Sequence, residues 1–293
     1  MSSPDDATQA APTDRQPSVR KTDYYGLTHP GKVRKTNQDH FLICSLRKHM
    51  EVHLTSLPDL EQLPLESERL AALALVADGV GSGAGGGEAS RLALEEMAQY
   101  VARTMRCYYT ADAKDESAFF DALEEAAMQG HTSVMKLAED DPERRRMATT
   151  LTVWIGAWPH SYLLQVGDSR FYLYGDGKLT QISRDQTMAQ ELVDQGVLTQ
   201  SDADNSHWAH VLSSAIGGTQ AAPVITRVDQ VWSSVGLLCS DGLTKHVSDE
   251  QIEERLRTMT SAKQVCEDLL QDALDDGGTD NITVVVGRGV RRE

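Results

Sequence analysis

Short apolar runs bounded by glycine, proline, asparagine and aspartate recur along the chain from Tyr24 onward. They predict strands over Tyr24–Leu27, Phe41–Leu46, Leu70–Ala77, Leu151–Trp158, Tyr162–Val166, Phe171–Tyr174, Val224–Val228, Val235–Cys239 and Asn281–Gly287. Apolar residues at helical spacing predict long helices from about Glu88 to Tyr108 and from about Glu116 to Glu139. Two shorter helices follow Ser248 and Ser261, and Ser248-Asp-Glu-Gln251 has the form of a capping box. The links between the middle strands decide the sheet type. Pro159-His-Ser and Gly175-Asp-Gly-Lys178 are too short to hold crossover helices, so consecutive strands must pair antiparallel. Strands, two long helices, more strands and two further helices make an α+β pattern, with antiparallel sheets covered by helices. Residues 1–20 are polar and aperiodic and read as a disordered tail, while 47–69, with two prolines, reads as a loop between strands.

Composition adds limits to this pattern. The 293 residues include 28 Lys+Arg against 44 Asp+Glu, a formal net charge of −16, which disfavours a nucleic-acid partner because phosphate backbones reward clustered cations. No apolar run approaches the roughly 20 residues needed to cross a bilayer, and the polar start lacks a signal-peptide core. The expectation is a cytoplasmic protein with no membrane partner. Cys44, Cys107, Cys239 and Cys266 show no C-x-x-C pairing and read as small hydrophobes rather than zinc ligands or a disulfide framework.

Five aspartates share one setting: TNQDHF at Asp39, LVADGV at Asp78, VGDSRF at Asp168, LCSDGL at Asp241 and GTDNIT at Asp280. Each abuts an apolar run, and most have a small residue beside them. Asp-Gly pairs commonly build turns. Several carboxylates on buried runs also need partners, and a hard cation such as Mg2+ or Mn2+ satisfies more than one at once. Gly81-Ser-Gly83-Ala-Gly85-Gly86 matches G-x-G-x-x-G formally. A dinucleotide fold is disfavoured, because the later strands pair antiparallel, no acid-terminated strand follows at the expected distance, and Asp78 would face a pyrophosphate.

Taken in order, Val33-Arg34-Lys-Thr-Asn37-Gln38-Asp39, Val76-Ala-Asp78-Gly79, Ala148-Thr149-Thr150-Leu151, Gly167-Asp168-Ser169-Arg170, Ser240-Asp241-Gly242-Leu243 and Gly278-Thr279-Asp280-Asn281-Ile-Thr283 make a familiar series. The chain resembles the metal-dependent protein phosphatases of the 2C family (PPM type), in their compact bacterial form. The resemblance runs from about residue 24 to about 287 and implies a phosphatase domain over 21–290. Its fold would be a four-layer α-β-β-α sandwich of two antiparallel sheets flanked by helix pairs. It further implies two Mn2+ or Mg2+ ions per active site and hydrolysis of phosphoserine and phosphothreonine by water activated between them. By the same resemblance, Asp78 bridges both metals, the Gly79 carbonyl ligates the second, and Asp241 and Asp280 complete the first. Asp39 holds water beside them, and Arg34 receives the substrate phosphate.

The chain departs from the family pattern at Gln38, where many members carry a glutamate for the second metal, and at Val80, where eukaryotic members have a histidine. Ala148 stands where glycine is usual. Asp168 is expected to hold a hairpin corner rather than a metal, and Asn281 to orient Asp280 or the adjoining loop. Residues 185–218 match a flap beside the active site, with His207 and His210 expected at its surface. Partners implied are phosphorylated proteins, the targets of a serine/threonine kinase. The competing reading is a pseudophosphatase that binds phosphoproteins without turnover, for which Gln38 is the main support.

Overall fold

The structure, a computed structural model, describes residues 21–48, 68–81, 85–108, 116–139, 144, 146–157, 160–228 and 234–290. The readings of 1–20 as a tail and of most of 47–69 as a loop lie outside these residues, as does the side chain of Cys107. In chain order the strands are β1 (Lys21–His29), β2 (His40–Lys48), β3 (Glu68–Ala77), β4 (Gly79–Val80), β5 (Ala148–Thr149), β6 (Leu151–Ala157), β7 (His160–Val166), β8 (Arg170–Gly175), β9 (Lys178–Gln181), β10 (Val224–Val228), β11 (Val235–Cys239) and β12 (Ile282–Val290). The helices are α1 (Gly85–Tyr108), α2 (Glu116–Glu139), α3 (Met188–Asp194), α4 (Gln200–Asp204), α5 (Asp241–Thr244), α6 (Asp249–Arg257) and α7 (Ala262–Asp275).

Two five-stranded sheets form, in the orders β1-β12-β11-β8-β9 and β10-β7-β6-β3-β2, and every pairing is antiparallel. The short links force the antiparallel pairing of β6 with β7 and of β8 with β9, while the link between β7 and β8 passes from one sheet to the other. Three apolar layers hold the sandwich together. Between the sheets lie Ala74, Val76, Leu163, Phe171, Leu238 and Val285. Outside one sheet, Leu73, Leu75, Val153 and Leu164 pack on Met97, Leu123 and Val134 of α1 and α2. Outside the other, Val284 and Val286 pack on Ile252, Val265 and Leu269 of α6 and α7. Because strand side chains alternate between faces, β3 sends Leu73 and Leu75 to the helices and Ala74 and Val76 to the partner sheet. Its neighbours on both faces are apolar, so its sequence is nearly continuous in hydrophobic residues. The four layers are those the sequence implies.

Ser248 caps α6 with the full capping box, and Ser261 caps α7 through Gln264 N–H. Helix α1 begins at Gly85, three residues before the periodic pattern. The glycines that disguise this start are needed for closeness: a Cβ on Gly79 would lie 2.3 Å from the Gly86 carbonyl oxygen and 2.6 Å from that of Gln38. Cys239 and Cys266 are buried free thiols whose pKa burial pushes up to about 12, so they act as core hydrophobes. Cys44 is free and half-buried. No helix among the described residues is long and apolar enough to cross a membrane.

Candidate metal centre

Register brings the motif acids together. His40 pairs with Ala77 across β2 and β3, so Asp39 and Asp78 stand side by side at the end of that sheet. In the other sheet Cys239 pairs with Val284, and His29 with Ile282, which sets Asp241 and Asp280 just beyond the strand ends. The two ends meet: Asp39 Oδ2 accepts hydrogen bonds from Ser240 Oγ and Thr283 Oγ1, both at 2.7 Å. These contacts cross from β2 to the strands carrying Asp241 and Asp280, and they fix the spacing of the two halves.

The backbone around the acids is equally tied. Asp78 N–H donates to Thr150 Oγ1 at 2.9 Å, and its carbonyl accepts from Thr149 Oγ1 and Thr150 N–H. This is where the threonines of Ala148-Thr-Thr-Leu151 act. At Gly242 a Cβ would meet the Asn281 carbonyl oxygen at 1.8 Å, so only glycine lets α5 start against β12. Asn281 holds the segment that carries Arg34. Its Nδ2 donates to the carbonyls of Pro30 and Thr36, and its Oδ1 accepts from Gln38 N–H at 2.8 Å. Its own N–H donates to Asp280 Oδ1. Its side chain thus serves the adjoining loop, while the contact to Asp280 is made by its backbone. His246, which the sequence did not single out, takes the Thr279 N–H on Nε2 at 2.9 Å, which leaves Nδ1–H to donate to Asp276 Oδ2. It latches the loop that ends at Asp280.

The electrostatics are those of a cation site. Burial, then the neighbouring charges of Asp39, Asp241, Asp168 and Asp280, push the Asp78 carboxyl well above the usual range. Burial likewise raises Asp39 to about 6, against the lowering effect of its hydroxyl donors. Asp39 Oδ1 is buried with no donor reaching it. The neighbour positioned to share a proton with it is the carboxyl of Asp78. Asp168, buried at the β7–β8 corner, is also raised, first by burial and then by the charges of Asp241 and Asp185. An orphaned carboxylate oxygen and three acids that burial and mutual repulsion make reluctant to ionise fit a centre completed by hard divalent cations.

The chain supplies cations of its own. Lys245 Nζ lies 2.6 Å from Asp241 Oδ2 and 2.8 Å from Asp280 Oδ2. Arg34 Nε lies 2.8 Å from Asp280 Oδ1, while Nη2 donates to Oδ2 at 2.9 Å, a two-pronged contact. Burial opposes ionisation of Asp280, but Arg34 and Lys245 outweigh it and hold its carboxyl below the usual value. No three His, Cys, Asp or Glu side chains among the described residues converge at ligand spacing. Arg34, expected at a substrate phosphate, here grips an acid instead. Sequence reasoning missed Lys245; its one signal was an i,i+4 Asp–Lys spacing from Asp241.

Beside the centre lies a cavity of about 670 Å3, lined by Asp168, Asp185, Asp204, His210, Asp241 and Lys245 among others. One wall is the 185–218 segment, which contains α3 and α4, capped by Thr187 and Thr199. Arg170 anchors its start with a two-pronged contact to Asp185, Nε–Oδ1 3.0 Å and Nη2–Oδ2 2.8 Å. Gln165 and Gln186 tie the β7–β8 corner to Arg184 and Gly167. Arg170 of the Gly-Asp-Ser-Arg motif thus ties the β7–β8 corner to the start of the 185–218 segment. His207 stacks on the half-exposed Trp208, ring centroids 4.3 Å apart.

A helix-clad sandwich of two antiparallel sheets, with acids from both meeting at one end, defines a class of carboxylate-centred α+β proteins. The chain belongs to the protein phosphatase 2C family, whose family model matches residues 65–279. It is 35% identical to the serine/threonine protein phosphatase PstP of Mycobacterium tuberculosis over 216 residues, which are 74% of this chain and 40% of that protein. The chain therefore covers less than half the length of this relative. It is 30% identical over 215 residues to the serine/threonine phosphatase stp of Listeria monocytogenes, 73% of this chain and 83% of that one. A crystal structure of the catalytic domain of PstP in complex with two manganese ions superposes with a TM-score of 0.69 at 31% identity, over 92% of this chain and 99% of that one.

Proposed function

We propose that the protein is a metal-dependent serine/threonine protein phosphatase. The observation that carries this reading is the meeting of Asp39, Asp78, Asp241 and Asp280 from two sheets, with an orphaned carboxylate oxygen among them. Family membership and the manganese of the PstP structure support it. Asp78, the Gly79 carbonyl, Asp241 and Asp280 would hold two Mn2+ or Mg2+ ions. When bound, such a pair lowers the pKa of water and offsets the charge on a phosphate ester.

The protein's own groups do the rest. Asp39, fixed by Ser240 and Thr283, would help to orient the attacking water. Arg34 is more than half exposed at the rim, so its planar fork can leave Asp280 and take two oxygens of the phosphate. The water oxygen bonds to phosphorus as the bond to the serine or threonine Oγ breaks, and a proton from water passes to that Oγ, giving inorganic phosphate and the free hydroxyl. Positioning and charge compensation suffice for such a transfer, and no nucleophilic cysteine is needed. Val80 brings no titratable group to the leaving oxygen, and Gln38 stands by with a neutral amide. The substrates on this reading are cytoplasmic phosphoproteins, the products of a serine/threonine kinase.

Hydrolysis of p-nitrophenyl phosphate by chelator-stripped protein, before and after Mn2+ addition, tests the proposal. Metal-dependent turnover is expected. Its absence with every divalent ion, alongside retained binding of a phosphopeptide, favours the pseudophosphatase.

A further inference from the structure

The Lys245 ammonium occupies the space between Asp241 and Asp280, touching one oxygen of each at 2.6 and 2.8 Å. Both acids are proposed metal ligands, and a divalent ion held by the same two carboxylates would compete with the Lys245 ammonium for their oxygens. Lys245 is not an incidental neighbour. It follows Asp241 by one helical turn, and its backbone N–H donates to the Asp241 carbonyl at 2.9 Å, so the chain delivers the ammonium to this acid at high effective concentration.

We propose that Lys245 is a tethered counter-cation that closes the first metal position in the metal-free protein and must withdraw for a divalent ion to enter. This rests on the reading of Asp241 and Asp280 as metal ligands. The withdrawn side chain has a destination. Lys245 lines the 670 Å3 cavity together with Asp168 and Asp204, so the ammonium can move into a space that carries acidic side chains. Metal loading thereby moves a positive charge from the centre toward the flap. It also makes the metal compete with a resident cation, which weakens its apparent affinity, while the metal-free fold keeps its acids paired.

The test uses the full chain, stripped of metal with a chelator, and isothermal titration with Mn2+. Lys245→Met should bind Mn2+ about tenfold or more tightly than the wild type, because two charge-assisted contacts no longer have to be broken. Its metal-free form should melt at a lower temperature, with a larger upward shift on Mn2+ addition. Lys245→Gln, shorter and polar, should show the same gain if the methionine variant folds poorly. Lys245→Arg keeps the charge and should remain within a few fold of wild type. Unchanged Mn2+ affinity in both neutral variants overturns the inference while the metal-centre reading stands. An equal gain in the arginine variant also overturns it, since shape rather than charge would then be responsible. If neither wild type nor variants take up Mn2+ or Mg2+ at millimolar concentration, the assignment of Asp241 and Asp280 as ligands fails, and this inference with it.

Discussion

Asp39 offers a quantitative prediction for the metal-free protein. Its carboxyl is almost wholly buried and pushed from the ordinary 3.8 up to about 6, with burial the largest cause. At 1.36 kcal/mol per pKa unit, that rise amounts to about 3 kcal/mol of preference for the protonated form in the fold. A group raised in the native state binds more protons there than in the unfolded chain, so its stability contribution is complete below about pH 4 and is lost as pH rises through 6. Asp78 and Asp168, also raised by burial, act in the same direction. The perturbation is Asp39→Asn, which keeps an acceptor for Ser240 and Thr283 and turns an N–H donor toward the Asp78 carboxyl. Urea unfolding of chelator-stripped protein between pH 4.5 and 7.5 should show the wild type losing stability relative to Asp39→Asn, with a difference at pH 7.5 of about 2–3 kcal/mol in favour of the variant. The half-buried His40, lowered first by its burial, contributes the opposite slope in both proteins and cancels in the comparison. Saturating Mn2+ should abolish or reverse the advantage. A variant that is less stable than wild type at pH 7.5 without metal, or a difference independent of pH, refutes the reasoning.

Other expectations follow from single contacts. Gly242→Ala places a Cβ 1.8 Å from the Asn281 carbonyl oxygen, and the backbone must part there. A loss of about 2–3 kcal/mol in urea unfolding is expected, with weaker Mn2+ binding, and a loss below about 0.5 kcal/mol would show the α5–β12 contact to be pliable. Arg34→Ala removes an exposed two-pronged ion pair, so metal-free stability should change by less than about 1 kcal/mol. The same variant should lower kcat/KM on a phosphothreonine peptide by about 10- to 100-fold, mainly through KM; unchanged kcat/KM removes Arg34 from phosphate binding.

What the sequence made legible is tied to what sequence periodicity encodes. Val235–Cys239 appears at its predicted bounds because a continuous apolar run between turn residues buries both faces, and Val224–Val228 also appears at its bounds although only Val228 in it is buried. Edge strand β9, Lys-Leu-Thr-Gln, carries too little apolar surface to stand out, and α3, α4 and α5 are too short to show a helical period. The start of α1 was hidden because Gly85–Gly87 read as loop, whereas the tight approach of Gly79 and Gln38 leaves no room for a side chain at Gly86. Asp39, Asp78, Asp168, Asp241 and Asp280 were legible as a set since each abuts an apolar run, and the family resemblance set Asp168 apart. Their mutual placement was not, because it depends on pairing across sheets. Arg34 meets Asp280 over 246 positions of sequence, and the bridge from Lys245 to Asp280 crosses 35; neither leaves a local trace. Ser240 and Thr283 lay within the quoted motifs, but only the fold shows that both hydroxyls serve Asp39.

The most direct measurement is phosphate release from a phosphothreonine peptide by chelator-stripped protein as Mn2+ is titrated, run in parallel on Asp241→Asn. The wild type should go from no detectable turnover to saturating turnover with Mn2+. Asp241→Asn, folded by circular dichroism, should remain slower by a factor of about 100 or more at any metal concentration. Turnover that survives the chelator, or an Asp241→Asn protein within a few fold of wild type, would contradict a metal centre built on these acids.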